Sequence, residues 1–102
     1  MAELIWSERS LSDLENIYDY IANDSPVYAQ LNVEAIIKSI ERLRAFPESG
    51  RHLPEFPYLP HREVFNNNYR IIYRYDSHAN RIKIITVVHG RRLLAEETLA
   101  EE

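Results

Sequence analysis

The sequence contains no cysteine among its 102 residues. Neither a disulfide framework nor a thiolate metal site can therefore form, and a reducing compartment is expected. The sequence also lacks any run of about 18 consecutive apolar residues, and no positive leader followed by an apolar stretch opens it. We therefore expect a cytoplasmic protein with no membrane partner.

Glycine is scarce, with only two residues in the chain, so a glycine-rich phosphate loop is excluded. The four histidines do not follow the spacing of metal ligands; they are His52, His61, His78 and His89. We therefore expect no metal and no nucleotide cofactor.

Charge is present but unevenly spread. The chain carries a formal net charge of −4, yet the segment from His61 to Arg92 holds seven basic and two acidic side chains, a net charge of +5. A basic segment on an acidic chain suggests an anionic target, either phosphate groups or an acidic protein segment. The alternative is that these cations protect solvated strand edges from pairing with other chains.

Two helices are predicted in the first half of the chain. After a short strand at residues 2–6, Ser7 is the expected N-cap of the first helix, and Ser25 with Pro26 begins the second. Apolar residues recur at spacings of three and four in both segments, including Leu11, Leu14, Ile17, Tyr18 and Ile21 in the first. The short loop between the helices predicts an antiparallel hairpin.

A strand-rich half is predicted to follow. Residues 47–60 hold four of the five prolines, so irregular structure is expected there, and three strands follow as a meander. In the middle strand, alternation places Tyr69, Ile71, Tyr73 and Tyr75 toward the helices and Arg70, Ile72 and Arg74 on the opposite face. In the last strand, Ile82, Ile84, Thr86 and Val88 alternate with Lys83, Ile85, Val87 and His89.

The predicted order of elements is β-α-α-β-β-β, with a further short helix possible over residues 91–100. This is an α+β fold in which an antiparallel-rich sheet packs against an N-terminal helical hairpin, forming a single domain over residues 1–102. Tyr18, Tyr69 and Tyr73 fall at core-facing positions and are interpreted as packing residues.

Several segments together resemble the ParE-like branch of the RelE/ParE toxin superfamily, a type associated with plasmid stabilisation. They are Trp6-Ser7, residues 13–21, residues 46–51, Arg62-Glu63-Val64, residues 69–73 and Val87-Val88-His89-Gly90-Arg91-Arg92. The resemblance implies a toxin that forms a hetero-oligomer with a cognate antitoxin. It leaves two targets open, because ParE-like members are described as inhibitors of DNA gyrase and RelE-like members cut messenger RNA on the ribosome.

The candidate catalytic residues for RNA cleavage are Arg70, His89 and Arg92, with Glu55 or Glu63 as a base. RelE-like nucleases, however, carry lysines ahead of the middle strand and an acid or aromatic residue beyond the last strand. Residues 53–60 contain no lysine, and Leu93-Leu94-Ala95 supplies no aromatic residue. The residues therefore favour a gyrase inhibitor that acts by binding; an mRNA endonuclease and a degenerate member that only binds its partner remain alternatives.

The expected contacts with the target or the antitoxin are Arg62, Arg70, Arg74, Arg91 and Arg92. Arg70 is the sharpest candidate, because an arginine in an apolar strand needs solvent, a target or a carboxylate such as Glu63. A cross-strand pair between Arg70 and Glu63 is as well supported as direct target contact. His89 is expected to be structural, and Gly90 to form a turn that lets Arg91 and Arg92 point back across the sheet.

Overall fold

The computed structural model describes residues 1–100. These residues form five strands and three helices: β1 (Glu3–Trp6), α1 (Glu8–Ala22), α2 (Pro26–Arg42), β2 (Arg51–His52), β3 (Arg62–Asn66), β4 (Tyr69–Asp76), β5 (Arg81–His89) and α3 (Glu96–Leu99). The predicted α+β fold, with its helical hairpin and antiparallel-rich sheet, is confirmed.

Both helices of the hairpin begin at the predicted serine caps. The Ser7 hydroxyl oxygen accepts a hydrogen bond from the backbone N–H of Ser10 at 3.0 Å, and Ser25 does the same for Tyr28 at 3.1 Å. Each cap satisfies a backbone donor that has no partner inside the first helical turn. Pro26 occupies the first position of α2, where its missing N–H costs no hydrogen bond.

The strands of the sheet lie in the order β1-β5-β4-β3-β2, and only the pairing of β1 with β5 is parallel. The prediction of irregular structure for residues 47–60 is wrong at Arg51 and His52. Arg51 and His52 form the two-residue strand β2, because they pair with Glu63 and Arg62 at the edge of β3.

The sheet is covered on both faces, so it has two apolar clusters. On one face, α1 and α2 pack against β4 and β5, and the buried residues include Leu14, Ile36, Ile40, Ile71, Tyr73, Ile82 and Ile84. On the other face, the connector between β2 and β3 and the C-terminal segment cover the sheet, burying Leu53, Ile72, Ile85, Val88, Leu94 and Leu99. The predicted alternation of β4 is confirmed, since Ile71 and Tyr73 lie in the first cluster and Ile72 in the second.

The buried stripe of α1 is narrower than the sequence pattern indicates. Leu14 is buried and Ile17 packs against the helix-side cluster, whereas Leu11 and Tyr18 are exposed at the flanks of this stripe. The interpretation of Tyr18 as a packing residue is therefore wrong. Within residues 1–100, no helix has the length and apolar character needed to cross a membrane.

Candidate functional site

A bulge in β5 sets the geometry of the basic end of the sheet. Ile72 pairs with Thr86 and Tyr73 with Ile84, so Ile85 has no residue directly opposite it in β4. Beyond this point the side chains change faces: Val87 joins the helix-side cluster and Val88 joins the opposite cluster. The strict alternation predicted for β5 is therefore wrong after Ile84, because an extra residue shifts the pleat.

Two side chains from the start of α1 hold this bulge. The Ser7 hydroxyl donates to the Ile85 carbonyl at 2.7 Å, while Ser7 remains the cap of the helix. The Asp13 carboxylate accepts from the Thr86 hydroxyl and from the backbone N–H of Val87, the latter at 2.9 Å. The sequence pattern indicates only a capping role for Ser7, and for Asp13 only a position between the apolar residues of α1.

The bulge places His89 on the helix side of the sheet. His89 lies opposite Tyr69, with the two ring centroids 5.8 Å apart in an edge-to-face arrangement. Its Nδ1 accepts a hydrogen bond from the backbone N–H of Arg91 at 3.1 Å. Uninterrupted alternation would have put His89 on the same face as Arg70.

Arg70 lies on the opposite face and is enclosed by carboxylates. Its Nε donates to Glu63 Oε1 at 2.7 Å, and its two terminal nitrogens bind the two oxygens of Glu55 at 2.7 and 2.9 Å. Only 5% of the residue is exposed. We expected Arg70 to contact either Glu63 or the target, and the structure contains the contact with Glu63. This pair is diagonal across the two strands, because the residue directly opposite Arg70 is Phe65.

Arg51 completes a network of four charges. Its Nε donates to Glu63 Oε2 at 2.7 Å, so the fully buried Glu63 carboxylate is shared by two arginines. The guanidinium of Arg51 also lies over the Phe65 ring, 5.4 Å from its centroid. Two cations and two anions leave the network neutral; Arg70 and Glu63 are its buried members, and each of them has an oppositely charged partner.

The charges in this network change the pKa values of Glu55 and Arg70. Hydrogen bonds from Arg70 lower the pKa of Glu55, against the opposing effect of partial burial. The hydrogen bond to Glu55, reinforced by Glu63, raises the pKa of Arg70. Glu55 and Arg70 therefore form an ion pair at neutral pH.

The five predicted contact arginines are not brought together. Arg62 stands opposite Tyr73 and donates to the Gly50 carbonyl at 2.8 Å, which fastens the chain ahead of β2. Arg74 is exposed on the same face as Arg70, opposite Lys83. Arg91 and Arg92 are exposed beyond β5.

Arg92 lines a cleft of about 350 Å³ at the basic end of β5. The other lining residues are Asp13, Asn16, Ile17, Tyr20, Tyr69, Val87, Val88 and His89. This cleft therefore combines cationic, aromatic and acidic side chains on the helix side, away from the Arg70 network.

Gly90 lies close to a neighbouring backbone segment, and its own backbone angle is not unusual. Its N–H donates to the Asn68 carbonyl at 2.6 Å, and an added Cβ would lie 3.2 Å from that oxygen. Its φ is not positive. Across residues 1–100, no three His, Asp or Glu side chains are grouped so that they could hold a metal ion.

Several solved structures with a similar arrangement of helices and strands come from toxin–antitoxin systems. A chain of the chromosomal ParDE system from P. aeruginosa has a TM-score of 0.70 and 23% identity, covering 87% of this chain and 96% of that one. A chain of the RelBE2 complex from Mycobacterium tuberculosis has a TM-score of 0.65 and 18% identity, covering 86% and 96%. A mutant of the E. coli toxin RelE in the free state has a TM-score of 0.64 and 20% identity, covering 99% and 94%. The fold is therefore the one shared by ParE and RelE toxins.

The sequence assigns the chain more narrowly. Residues 4–94 match the family described as the ParE toxin of type II toxin–antitoxin systems, parDE. The chain belongs to this family, within the RelE/ParE superfamily. It is also similar to Toxin RelE2 of Caulobacter vibrioides, with 39% identity over 51 residues. That alignment covers 50% of this chain and 58% of the relative, so the chain spans little more than half the length of RelE2.

Proposed function

We propose that this chain is the toxin of a two-gene pair, that it acts by binding DNA gyrase, and that a cognate antitoxin neutralises it. One observation favours binding over RNA cleavage: Arg70 and His89 lie on opposite faces of the sheet, and carboxylates already bind the Arg70 guanidinium. Membership of the ParE family supports gyrase as the target.

Cleavage of RNA needs a proton-transfer group and a cation at the same phosphate. A histidine side chain can transfer protons and an arginine can bind an oxyanion through two hydrogen bonds, but His89 and Arg70 lie on opposite faces of the sheet. The three nitrogens of the Arg70 guanidinium all contact Glu55 or Glu63. The candidate site formed by Arg70, His89 and Arg92 is therefore not assembled around one position.

We propose that the exposed end of β5 is the surface that contacts DNA gyrase. Arg91 and Arg92 extend beyond the strand, and Tyr20, which is 77% exposed, lines the same cleft as Arg92. Arginine and tyrosine are the residue types that most often dominate the energetics of protein interfaces. Arg92 is therefore the first residue to substitute.

The antitoxin is supported by the relatives and by the charge distribution. The RelBE2 structure is a toxin–antitoxin complex, and residues 61–92 of this chain carry a net charge of +5. Several of these cations, among them Arg74, Arg91 and Arg92, are exposed, and an acidic, amphipathic segment that folds on binding suits them.

The test compares two activities of the purified full-length chain: inhibition of supercoiling by DNA gyrase and cleavage of mRNA on ribosomes. Gyrase inhibition is expected, and Arg92→Ala is expected to weaken it by about tenfold, the effect of one lost interface arginine. Arg42→Ala is the matched control, because Arg42 is exposed at the far end of α2. An equal loss of gyrase inhibition in both variants would show that Arg92 contributes only through the net charge of the protein.

A second candidate, ribosome-dependent mRNA cleavage, has one observation in its favour, since Asp13, His89 and Arg92 line one cleft. Cleavage by the wild-type chain that is abolished by His89→Ala would establish it and overturn gyrase binding. A chain that neither arrests growth on expression nor shows either activity, yet binds its antitoxin, is a degenerate member of the family.

A further inference from the structure

Glu63 and Glu55 hold Arg70 from different parts of the chain. Glu63 lies in β3, its side chain is 0% exposed, and Arg51 binds its second oxygen. Glu55 lies in the connector between β2 and β3, and 30% of its side chain is exposed. The network therefore has one carboxylate fixed in the sheet and one at the surface.

The contact between Glu55 and Arg70 is bidentate, a geometry that arginine also uses to bind carboxylates of other molecules. Two parallel hydrogen bonds, at 2.7 and 2.9 Å, join the terminal nitrogens of Arg70 to the two oxygens of Glu55. If Glu55 turned outward, Arg51 and Arg70 would face Glu63 alone, leaving one uncompensated positive charge. The Arg51 side chain is 61% exposed, whereas that of Arg70 is 6% exposed, so departure of Glu55 leaves the terminal nitrogens of the buried Arg70 short of an acceptor, and an entering carboxylate restores it.

The surroundings favour a single carboxylate over a nucleic-acid backbone. The same face of the sheet is covered by the C-terminal segment, in which Glu96 and Glu97 are exposed. Tyr58 of the connector donates a hydrogen bond to Glu96 at 2.5 Å, which holds this carboxylate beside the connector. A chain of phosphates would be repelled here, whereas one acidic side chain replaces another without changing the charge of the network.

We propose that Glu55 is a removable internal ligand of Arg70, and that an acidic side chain of the antitoxin replaces it through the same pair of hydrogen bonds. The exchange rests on the proposed function, in which an acidic antitoxin segment binds this toxin. No covalent bond changes: the Glu55 carboxylate moves into water and the incoming carboxylate occupies its place. Glu55 thereby keeps the buried guanidinium neutralised in the free toxin.

The probe is a short peptide that carries one glutamate among uncharged residues, titrated into the purified full-length chain. Affinity is measured by calorimetry, and the NMR signals of the Arg70 terminal Nη–H groups, which bind Glu55, report on the site. Glu55→Gln removes the competing charge and is expected to bind the peptide about tenfold more tightly than the wild type. Adding Arg70→Lys to this variant removes the planar fork and is expected to abolish the gain.

Glu48→Gln is the matched control, because Glu48 is also an exposed glutamate and its carboxylate lies 3.8 Å from Arg62 rather than at Arg70. It is expected to change the affinity by less than about twofold, as a surface charge does. Equal gains in Glu48→Gln and Glu55→Gln overturn the proposal, as does an unchanged Arg70 signal. Tighter binding of an oligouridylate of equal charge also overturns it, since the site then selects nucleic acid.

If Glu55→Gln fails to fold, Glu55→Asp provides the test, because the shorter side chain keeps the charge but cannot make both hydrogen bonds with the same geometry. Affinity above that of the wild type supports exchange, and unchanged affinity refutes it. These measurements do not depend on gyrase or on growth. Failure of the toxin to inhibit gyrase refutes the proposed function alone, whereas failure of the peptide to displace Glu55 refutes the exchange alone.

Discussion

The carboxylate of Asp13 accepts a hydrogen bond from the backbone N–H of Val87 at 2.9 Å, joining the first helix to the last strand across 74 positions of sequence. The same carboxylate accepts from the Thr86 hydroxyl. Both donors lie next to the extra residue of the β5 bulge, so this one side chain stabilises a break in the strand pairing. The bulge in turn determines which face of the sheet carries His89.

Asp13→Ala is expected to lower the free energy of unfolding by about 2 kcal/mol. The substitution removes a charged acceptor and leaves the Val87 N–H and the Thr86 hydroxyl without this partner. Urea unfolding measures the change. Asp19→Ala, an exposed site on the same helix, is expected to cost less than about 0.5 kcal/mol, and equal effects of the two substitutions would contradict the role of Asp13.

Arg70→Met is expected to destabilise the protein by about 3 kcal/mol. Methionine keeps part of the apolar stem but leaves the buried Glu63 with Arg51 as its remaining cationic partner. Arg74→Met is the control on the same strand and face, and since Arg74 is exposed, a loss below about 1 kcal/mol is expected. Similar losses in both variants, measured by urea unfolding, would show that the buried network contributes little.

Acidic pH is expected to lower the unfolding free energy of the wild type more than that of Glu55→Gln. Arg70 lowers the pKa of Glu55 below its ordinary value of 4.5. A carboxyl group with a lowered folded-state pKa contributes stability above its unfolded-state pKa and loses that contribution as the pH falls through the lowered value.

The measurement is the difference in unfolding free energy between wild type and Glu55→Gln, followed from neutral pH to below pH 4.5. Titration of the other carboxyl groups largely cancels in this difference, because both proteins contain them. The wild-type advantage is expected to be constant above pH 4.5 and to shrink below it. A difference that stays flat through the acidic range rules out the ion pair between Glu55 and Arg70 as its source.

Gly50→Ala is expected to be much more harmful than Gly90→Ala. A Cβ at position 50 would lie 2.6 Å from the Tyr73 hydroxyl oxygen and 2.7 Å from the Glu63 carbonyl oxygen, so the buried surroundings must move. At position 90 the nearest atom is the Asn68 carbonyl oxygen, at 3.2 Å. Thermal unfolding should show a loss of about 3 kcal/mol for the first and less than about 1 kcal/mol for the second. Equal melting temperatures would contradict this ranking.

Features that depend on local chemistry were predictable from sequence. Ser7 and Ser25 begin the two helices because each offers an oxygen to a free N–H of the first turn. The alternation of β4 correctly placed Tyr73 toward the helices and Ile72 on the other face, because no extra residue interrupts the period of two in this strand.

The unpredicted features depend on contacts between distant segments. The bulge at Ile85 is stabilised by Ser7 and Asp13, so the sequence of β5 alone does not contain the cause of its changed faces. Glu55 was considered only as a possible base, yet the fold of the connector turns it onto Arg70. The two-residue strand β2 is too short to show a period, and its partner β3 decides that it forms.

The parallel pairing of β1 with β5 has a consequence for how the protein is made. Glu3 to Trp6 pair with Arg81 to Ile84, so β1 gains this neighbour only after residues 81–84 have been synthesised. Contacts so distant in sequence form slowly, because a long loop must close before they stabilise anything. The nascent chain therefore cannot complete this sheet until the ribosome has made β5, which lies between β1 and β4.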